Sequence, residues 1–407
     1  MFRKNLVVCL LILGSLMAVP VAFAASTEFV YVESNIQSAG GNSIYAFQRN
    51  ADGSLTQIAG SPFPTGGAGV QDTSLGLGPY DSDQNVVVDA DRKLLFAVNS
   101  GSDTIAVFHI KSGGSLEAVN GSPFPSQGTN PVSIGVAGDI LFAVNKNGDF
   151  PRVSNILPNY TSFHIAQDGS LLPIAGSTVS VGLGTSPTQA LVVPGTNLVF
   201  GADFFGGLMQ SFRFDSNGHL HQNQPVALPA SEFPDPTAPR LPLGLITHPH
   251  QPLLYVGLVT INRLGVYKFD GNGYLHFVRS ASNSGVAICW IRTNKSGTRL
   301  YTTNTASATG DTSTISVYDI SDPDAPREIQ NVMLAGQGNA RQFELSGDGK
   351  NLYAVTGRFS SLIPNGQGNA LHVFSIGPDG MVEETSTIQL PVPAGVLSQG
   401  VAVYSPR

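Results

Sequence analysis

The chain has 407 residues, with 21 Lys and Arg against 28 Asp and Glu, for a net charge of -7. That balance, with no Lys/Arg cluster anywhere, excludes nucleic acid and anionic membrane surfaces as expected partners. Charged residues make up only 12% of the chain, alongside 46 Gly and 27 Pro; globular domains usually carry about 25% charged residues, so the composition points to a sheet-rich, turn-rich fold.

At the N-terminus, Arg3 and Lys4 precede an apolar run from Leu6 to Val19, followed by Ala22-Phe23-Ala24. This is the pattern of a secretory signal peptide over residues 1–24. Its apolar core is too short for a comfortable membrane span, and no later stretch reaches about 18 apolar residues. The expected product is a secreted or periplasmic monomer over residues 25–407. Cys9 lies within the signal, which leaves Cys289 as the only thiol. No internal disulfide can form, so the core alone must hold the fold.

Further along, one phrase is written twice, as "GSLTQIAGSPFPTGG" from Gly53 and "GSLEAVNGSPFPSQG" from Gly114. Each follows an apolar-alternating run and a Gly-containing turn, the signature of a β-hairpin. A strand-like run precedes each hairpin and recurs seven times, as FVYVES, LLFAVN, ILFAVN, LVFGAD, LLYVGL, RLYTTN and NLYAVT. Every copy has an aromatic residue at one position: Tyr31, Phe96, Phe142, Phe200, Tyr255, Tyr301 and Tyr353. Such a column is expected to pack between neighbouring sheets. A further strand precedes the second to seventh copies, while the first copy lacks one. The unassigned GVAVYSPR, Gly400–Arg407, supplies the missing strand. The pattern predicts an all-β, seven-bladed propeller of four-stranded antiparallel blades, closed by the C-terminal strand.

With each blade's strands counted outwards from the central channel, the first-to-second and third-to-fourth turns are short. The connections at the opposite face include the long stretches Ser61–Gln84, Asn145–Tyr160, Leu228–Pro242, Asn304–Ser313 and Thr356–Asn369. Long loops in compact domains tend to be functional, so the channel mouth on that face is the expected binding site. The second strands end there at Ser34, Asn99, Asn145, Asp203, Leu258, Asn304 and Thr356. Asn99, Asn145 and Asn304 could present amides to a polar ligand, or bond their own loops. Arg341 and Gln342 begin one inner strand and Arg240 precedes another, and Arg suits bidentate capture of a carboxylate or phosphate. Asp81 and Asp83 lie where the first copy of the doubled phrase runs on into the longest loop. The expected partner is a small polar or carboxylated molecule, or a protein bound on this face.

Other signals read as structure. His248 and His250 share a short turn, and the DSNG and DGNG stretches lack the remaining acids of a calcium loop. No metal site or cofactor motif is recognisable. Trp290, beside Cys289, reads as core or channel lining.

The repeated GSL…GSPFP strand, the run Val98–Phe108 and LSGDGKNLYAV (Leu345–Val355) resemble the lactonase-type seven-bladed propellers, 6-phosphogluconolactonase and carboxymuconate-lactonising enzyme. The resemblance implies a lactonase-like hydrolase or cyclase. Where many members have Pro-Arg-His, this chain has Ala340-Arg341-Gln342; where they have Asn-Glu, it has Thr356-Gly357. Lactone hydrolysis needs a base for water and donors for the developing oxyanion. Arg341 is the expected donor and Asp203 the expected base, with Asn99, Asn145, Asn304, Gln342, Arg240 and Asp83 as binding groups. The alternative is a non-catalytic propeller that binds a ligand or serves as a cell-envelope scaffold.

Overall fold

The computed structural model describes residues 28–70, 81–146, 157–305, 313–336, 338–357, 368–393 and 396–406. The segment read as a signal peptide, the middles of several long loops, Tyr80 and Asp311 all lie outside the described residues.

Seven antiparallel sheets, one per repeat, form the blades of a propeller. Their innermost strands are Gln399–Tyr404, Val86–Asp89, Pro131–Ala137, Leu191–Val192, Pro242–Thr247, Ile288–Thr293 and Asn339–Leu345, for blades 1 to 7. Blade 1 is composite. The C-terminal strand pairs with Glu28–Glu33 in antiparallel register, Phe29 against Tyr404 through to Glu33 against Gln399. In blades 5, 6 and 7 the outermost rank is one continuous strand, Leu275–Ser282, Arg327–Met333 and Val382–Gln389. In blades 1 to 4 it is broken into two short strands that both pair with the third strand. The doubled phrase shows why in blades 1 and 2. Its Ser-Pro-Phe-Pro removes two backbone donors from the ladder, so pairing stops after Leu55–Gln57 and Leu116–Ala118 and resumes at the Phe-Pro.

The core lies in the seams between blades, with one buried apolar cluster per seam. All seven repeat-position aromatics are buried in them. Where the ring is Tyr, its hydroxyl stitches to the next blade: Tyr31 to Gly114 O, Tyr255 to Pro323 O, Tyr301 to Gly380 O and Tyr353 to Glu28 Oε1, at 2.9–3.1 Å. At two of the Phe positions a ring of the next blade meets it, Phe142–Phe214 at 4.9 Å and Phe200–Phe269 at 5.1 Å. Apolar burial with offset rings holds adjacent sheets together, and the hydroxyls fix their rotation.

The short turns are built as the sequence suggests. Asp52, Asp168, Asp215 and Asp270 each accept backbone N–H groups from two to four residues ahead, the Asx geometry expected of DSNG and DGNG. His248 and His250 contact the backbone carbonyls of Gly297 and Lys295.

Candidate functional site

One end of every inner strand meets the end of its blade's second strand, and five of these pairings are bulged at that end. The register shifts lie at Val32/Glu33, Pro131/Ser133, Leu243/Leu245, Ile288/Ile291 and Ala340/Phe343. A bulge inserts an unpaired residue and re-aims side chains. In blade 6 the bulged residues are Cys289 and Trp290; in blade 7 they are Arg341 and Gln342. Both pairs are buried.

These bulges face a plug. Residues 81–85, which lead into the inner strand of blade 2, cross the channel. Asp81, Ser82, Asp83 and Asn85 are all at most 2% exposed. Trp290 Nε1 and Gln342 Nε2 donate to the Ser82 carbonyl at 2.7 and 3.0 Å, and Gln342 also donates to Asn85 Oδ1. Asp83 receives both terminal nitrogens of Arg292, at 2.7 and 3.0 Å, while Arg292 Nε donates to Glu344 at 2.9 Å. The Asp83 N–H bonds Thr188 O in blade 4, and Gln84 O accepts from Ile134 N in blade 3. Five residues of blade 2's entry loop thus reach blades 3, 4, 6 and 7. Burial works against the Arg292 charge, but Asp83 and Glu344 outweigh it and raise its pKa. On the short-turn side of the plug, a cavity of about 340 Å³ is lined by Gln84, Gln189, Arg292 and Glu344 among apolar residues such as Val88, Ile246 and Val401.

At the long-loop end, Asp81 forms a buried ion pair with Lys146 and accepts from Ser186 Oγ at 3.1 Å. Ser186 N in turn donates to Asp203 Oδ1 at 2.7 Å, as does Gly206 N at 3.0 Å. Asp203 Oδ2 is buried with no hydrogen-bond partner among the described residues. Burial, with a contribution from the Asp203 charge, pushes the Tyr160 hydroxyl pKa well up. Burial likewise pushes the Cys289 thiol up to about 11, with Arg341 drawing it down and Asp81 pushing it up. The Arg341 and Asp81 charges therefore both act on this thiol, and Ser186 links Asp81 to Asp203. Cys289 is a protonated packing residue at neutral pH, not a nucleophile.

The other residues singled out from sequence divide clearly. Gln342 and Asp83 belong to the plug contacts. Asn99, Asn145 and Asn304 are held by their own blades and by adjoining loops: Asn99 by Thr104, Thr65 and Asn42 of blade 1, Asn145 by Ser126 O and Asn159, Asn304 by Thr314 and Ser316. A glycine of the entering loop covers each. A Cβ at Gly67, Gly128 or Gly285 would lie 2.3–2.4 Å from atoms of Asn99, Asn145 or Asn304, so these asparagines lock loops in place. Arg240 stacks over the Phe233 ring at 5.6 Å in its own loop. Sequence reading missed Arg292, Lys146, Ser186 and Glu33. Of these, Arg292 and Glu33 stand out when the copies are aligned, because most other copies are apolar there.

No family model matches the chain, and no curated protein matches its sequence. Solved structures do. A Bacteroides uniformis protein assigned as a candidate 6-phosphogluconolactonase superposes with TM-score 0.70 at 16% identity, covering 93% of this chain and 99% of that one. The Pseudomonas aeruginosa periplasmic gluconolactonase gives 0.66 at 15%, covering 93% and 100%. A Lactobacillus plantarum protein gives 0.65 at 15%, covering 92% and 99%. The likeness is one of fold. At these identities it carries the propeller over nearly the whole chain and leaves the chemistry to this chain's own residues. No helix among the described residues is long and apolar enough to cross a membrane.

Proposed function

We propose that the protein is an exported, monomeric, lactonase-like enzyme acting on a small sugar or carboxylated lactone at the channel mouth on the long-loop face. The observation that carries this reading is Asp203 Oδ2, a buried carboxylate oxygen with no partner among the described residues, tied through Ser186 to Asp81, whose charge acts on the Cys289 thiol as the Arg341 charge does. A carboxylate held by two backbone donors on one oxygen keeps the other for a water proton. In this reading Asp203 takes a proton from water as the hydroxyl adds to the lactone carbonyl. Arg341 stabilises the oxyanion. The ring C–O bond then breaks and the leaving alkoxide recovers the proton, giving the open hydroxy acid. The names of the Bacteroides uniformis and Pseudomonas aeruginosa neighbours support the same class of substrate.

The experiment is hydrolysis of a lactone panel by the wild type, Arg341→Ala and Asp203→Asn. Loss of about 10²-fold or more in kcat/KM in each variant is expected. No turnover on any lactone, or turnover indifferent to both changes, sinks the reading. One observation favours a second reading, binding without turnover: Gln342 and Gly357 stand where the resemblance expects titratable His and Glu side chains. A ligand that binds at the mouth without being converted would establish it.

A further inference from the structure

The seam between blades 1 and 2 holds polar groups that the proposed hydrolysis does not use. Glu33 ends the second strand of blade 1 and is 1% exposed. Its Oε1 accepts from Asn42 Nδ2 at 2.7 Å, but Oε2 has no partner among the described residues. Gln399 stands directly opposite in the register and is also 1% exposed, with both its amide atoms unpartnered among the described residues. The register shifts between this pair and the next, Val32 against Val401, which leaves Gly400 as the unpaired residue beside Gln399. Gly400 has a positive φ of 75°, and a Cβ there would lie 2.9 Å from Val86 Cγ2, 3.3 Å from Asn85 Cβ and 3.4 Å from Glu33 Oε2, so this glycine places the carboxyl oxygen close to the residues that leave the plug. Asn85 accepts from Gln342, the neighbour of Arg341.

Nothing in the fold requires a carboxyl at this position. The other six copies carry Val98, Val144, Ala202, Gly257, Thr303 and Val355 there. A buried polar group left without a partner is costly to the fold, and a buried titratable group with no structural role marks a candidate site.

We propose that Glu33 and Gln399 form a hydroxyl-binding subsite, and that the lactone taken is a neutral polyhydroxylated one. This rests on the lactonase-like reading and narrows its substrate. A sugar hydroxyl both donates and accepts, which is what an amide beside a carboxyl can satisfy together. Among the described residues, those placed beside the pair, Asn42, Asn85, Val86 and Gly400, include no cation, so a phosphate or carboxylate would meet Glu33 uncompensated by them. Burial pushes the Glu33 carboxyl up to about 8, so at neutral pH it keeps a proton to donate.

The test compares glucono-δ-lactone with its 6-phosphate as substrates, and uses 1,5-anhydroglucitol as a non-reacting cyclic polyol. KM for the neutral lactone should rise about tenfold in Gln399→Leu and in Glu33→Leu while kcat holds within about threefold, as expected for lost uniform binding. Anhydroglucitol should raise the Tm of the wild type and not that of Gln399→Leu. If Gln399→Leu does not fold, Gln399→Asn, which withdraws the amide by one methylene, should show the same rise in KM. Polyol protection that depends on Gln399 without any lactone turnover keeps the subsite and overturns the hydrolytic reading. A tenfold preference for the 6-phosphate, or KM and thermal shift unmoved in the Gln399 variants, overturns the subsite.

Discussion

The contribution of Glu33 to the stability of this propeller falls as pH rises, opposite in sign to that of carboxylates such as Asp348 whose pKa is lowered. The Glu33 carboxyl titrates near 4.5 when the chain is unfolded and at about 8 when folded, because burial outweighs the Asn42 hydrogen bond. Below the unfolded value both states hold the proton and Glu33 contributes nothing. Between the two values the folded state binds one proton more, so stability drops by about 1.4 kcal/mol per pH unit. Above about 8 the folded carboxyl ionises as well, and the loss levels off at about 5 kcal/mol, an upper figure. Glu33→Gln removes the titration while keeping the shape. Urea unfolding of both proteins from pH 5 to pH 9 should show the variant gaining on the wild type at each step up to pH 8 and running parallel above it. A difference that stays constant across the range would refute the placement of a protonated carboxyl in the seam.

Deleting Gly400–Arg407 removes nearly all of the inner strand of blade 1 and uncovers Phe29, Tyr31 and the seam to blade 2. The loss should exceed the 5–15 kcal/mol that typically holds a domain, and a melting temperature near wild type would refute closure by that strand. Asp83→Ala leaves the buried Arg292 with only Glu344 and should cost about 3–5 kcal/mol in urea unfolding, with much of it restored in Asp83→Ala/Arg292→Met. Tyr353→Phe removes the hydroxyl that donates to Glu28 across the closing seam and should cost about 1–3 kcal/mol, read as a lowered urea midpoint with unchanged m-value.

The fold was legible because its determinants repeat. One aromatic in seven copies, a missing first strand and an orphaned last one left a single closed arrangement, and Tyr31, Phe96 and their counterparts pack as that arrangement requires. The site was only partly legible. Arg341, Gln342, Asp203 and Asp83 are legible from strand ends and loop position, and of the two roles open to the ring asparagines, facing a ligand or bonding loops, the hydrogen bonds show the second. Strand alternation gives a side chain's face only while the ladder is regular, and the bulges at Cys289–Trp290 and Arg341–Gln342 break it at the mouth. Nor can spacing reveal that Trp290 meets Ser82, 208 residues away in the chain. Glu33 was legible in principle, since a carboxylate interrupts a mostly apolar column, but attention to strand ends passed over it for Ser34.

The plug changes what the channel can do. The place where the doubled phrase stops repeating is where the chain crosses the axis and ties blade 2 to blades 3, 4, 6 and 7. The channel is thereby divided: Asp81, Lys146, Arg341 and Asp203 lie towards the long-loop end, and the cavity with Arg292 and Glu344 towards the short-turn end. The two compartments are not independent, because one peptide segment joins them. The Asp83–Arg292 pair on the lower side fixes the Ser82 carbonyl, and that carbonyl holds Trp290 and Gln342, the residues flanking Cys289 and Arg341. Loss of Asp83 should therefore be felt at Arg341 as well as in stability. In Asp83→Asn, which keeps the side chain's size, kcat/KM should fall, while Asp215→Asn, in an exposed short turn of blade 4, leaves it within about twofold.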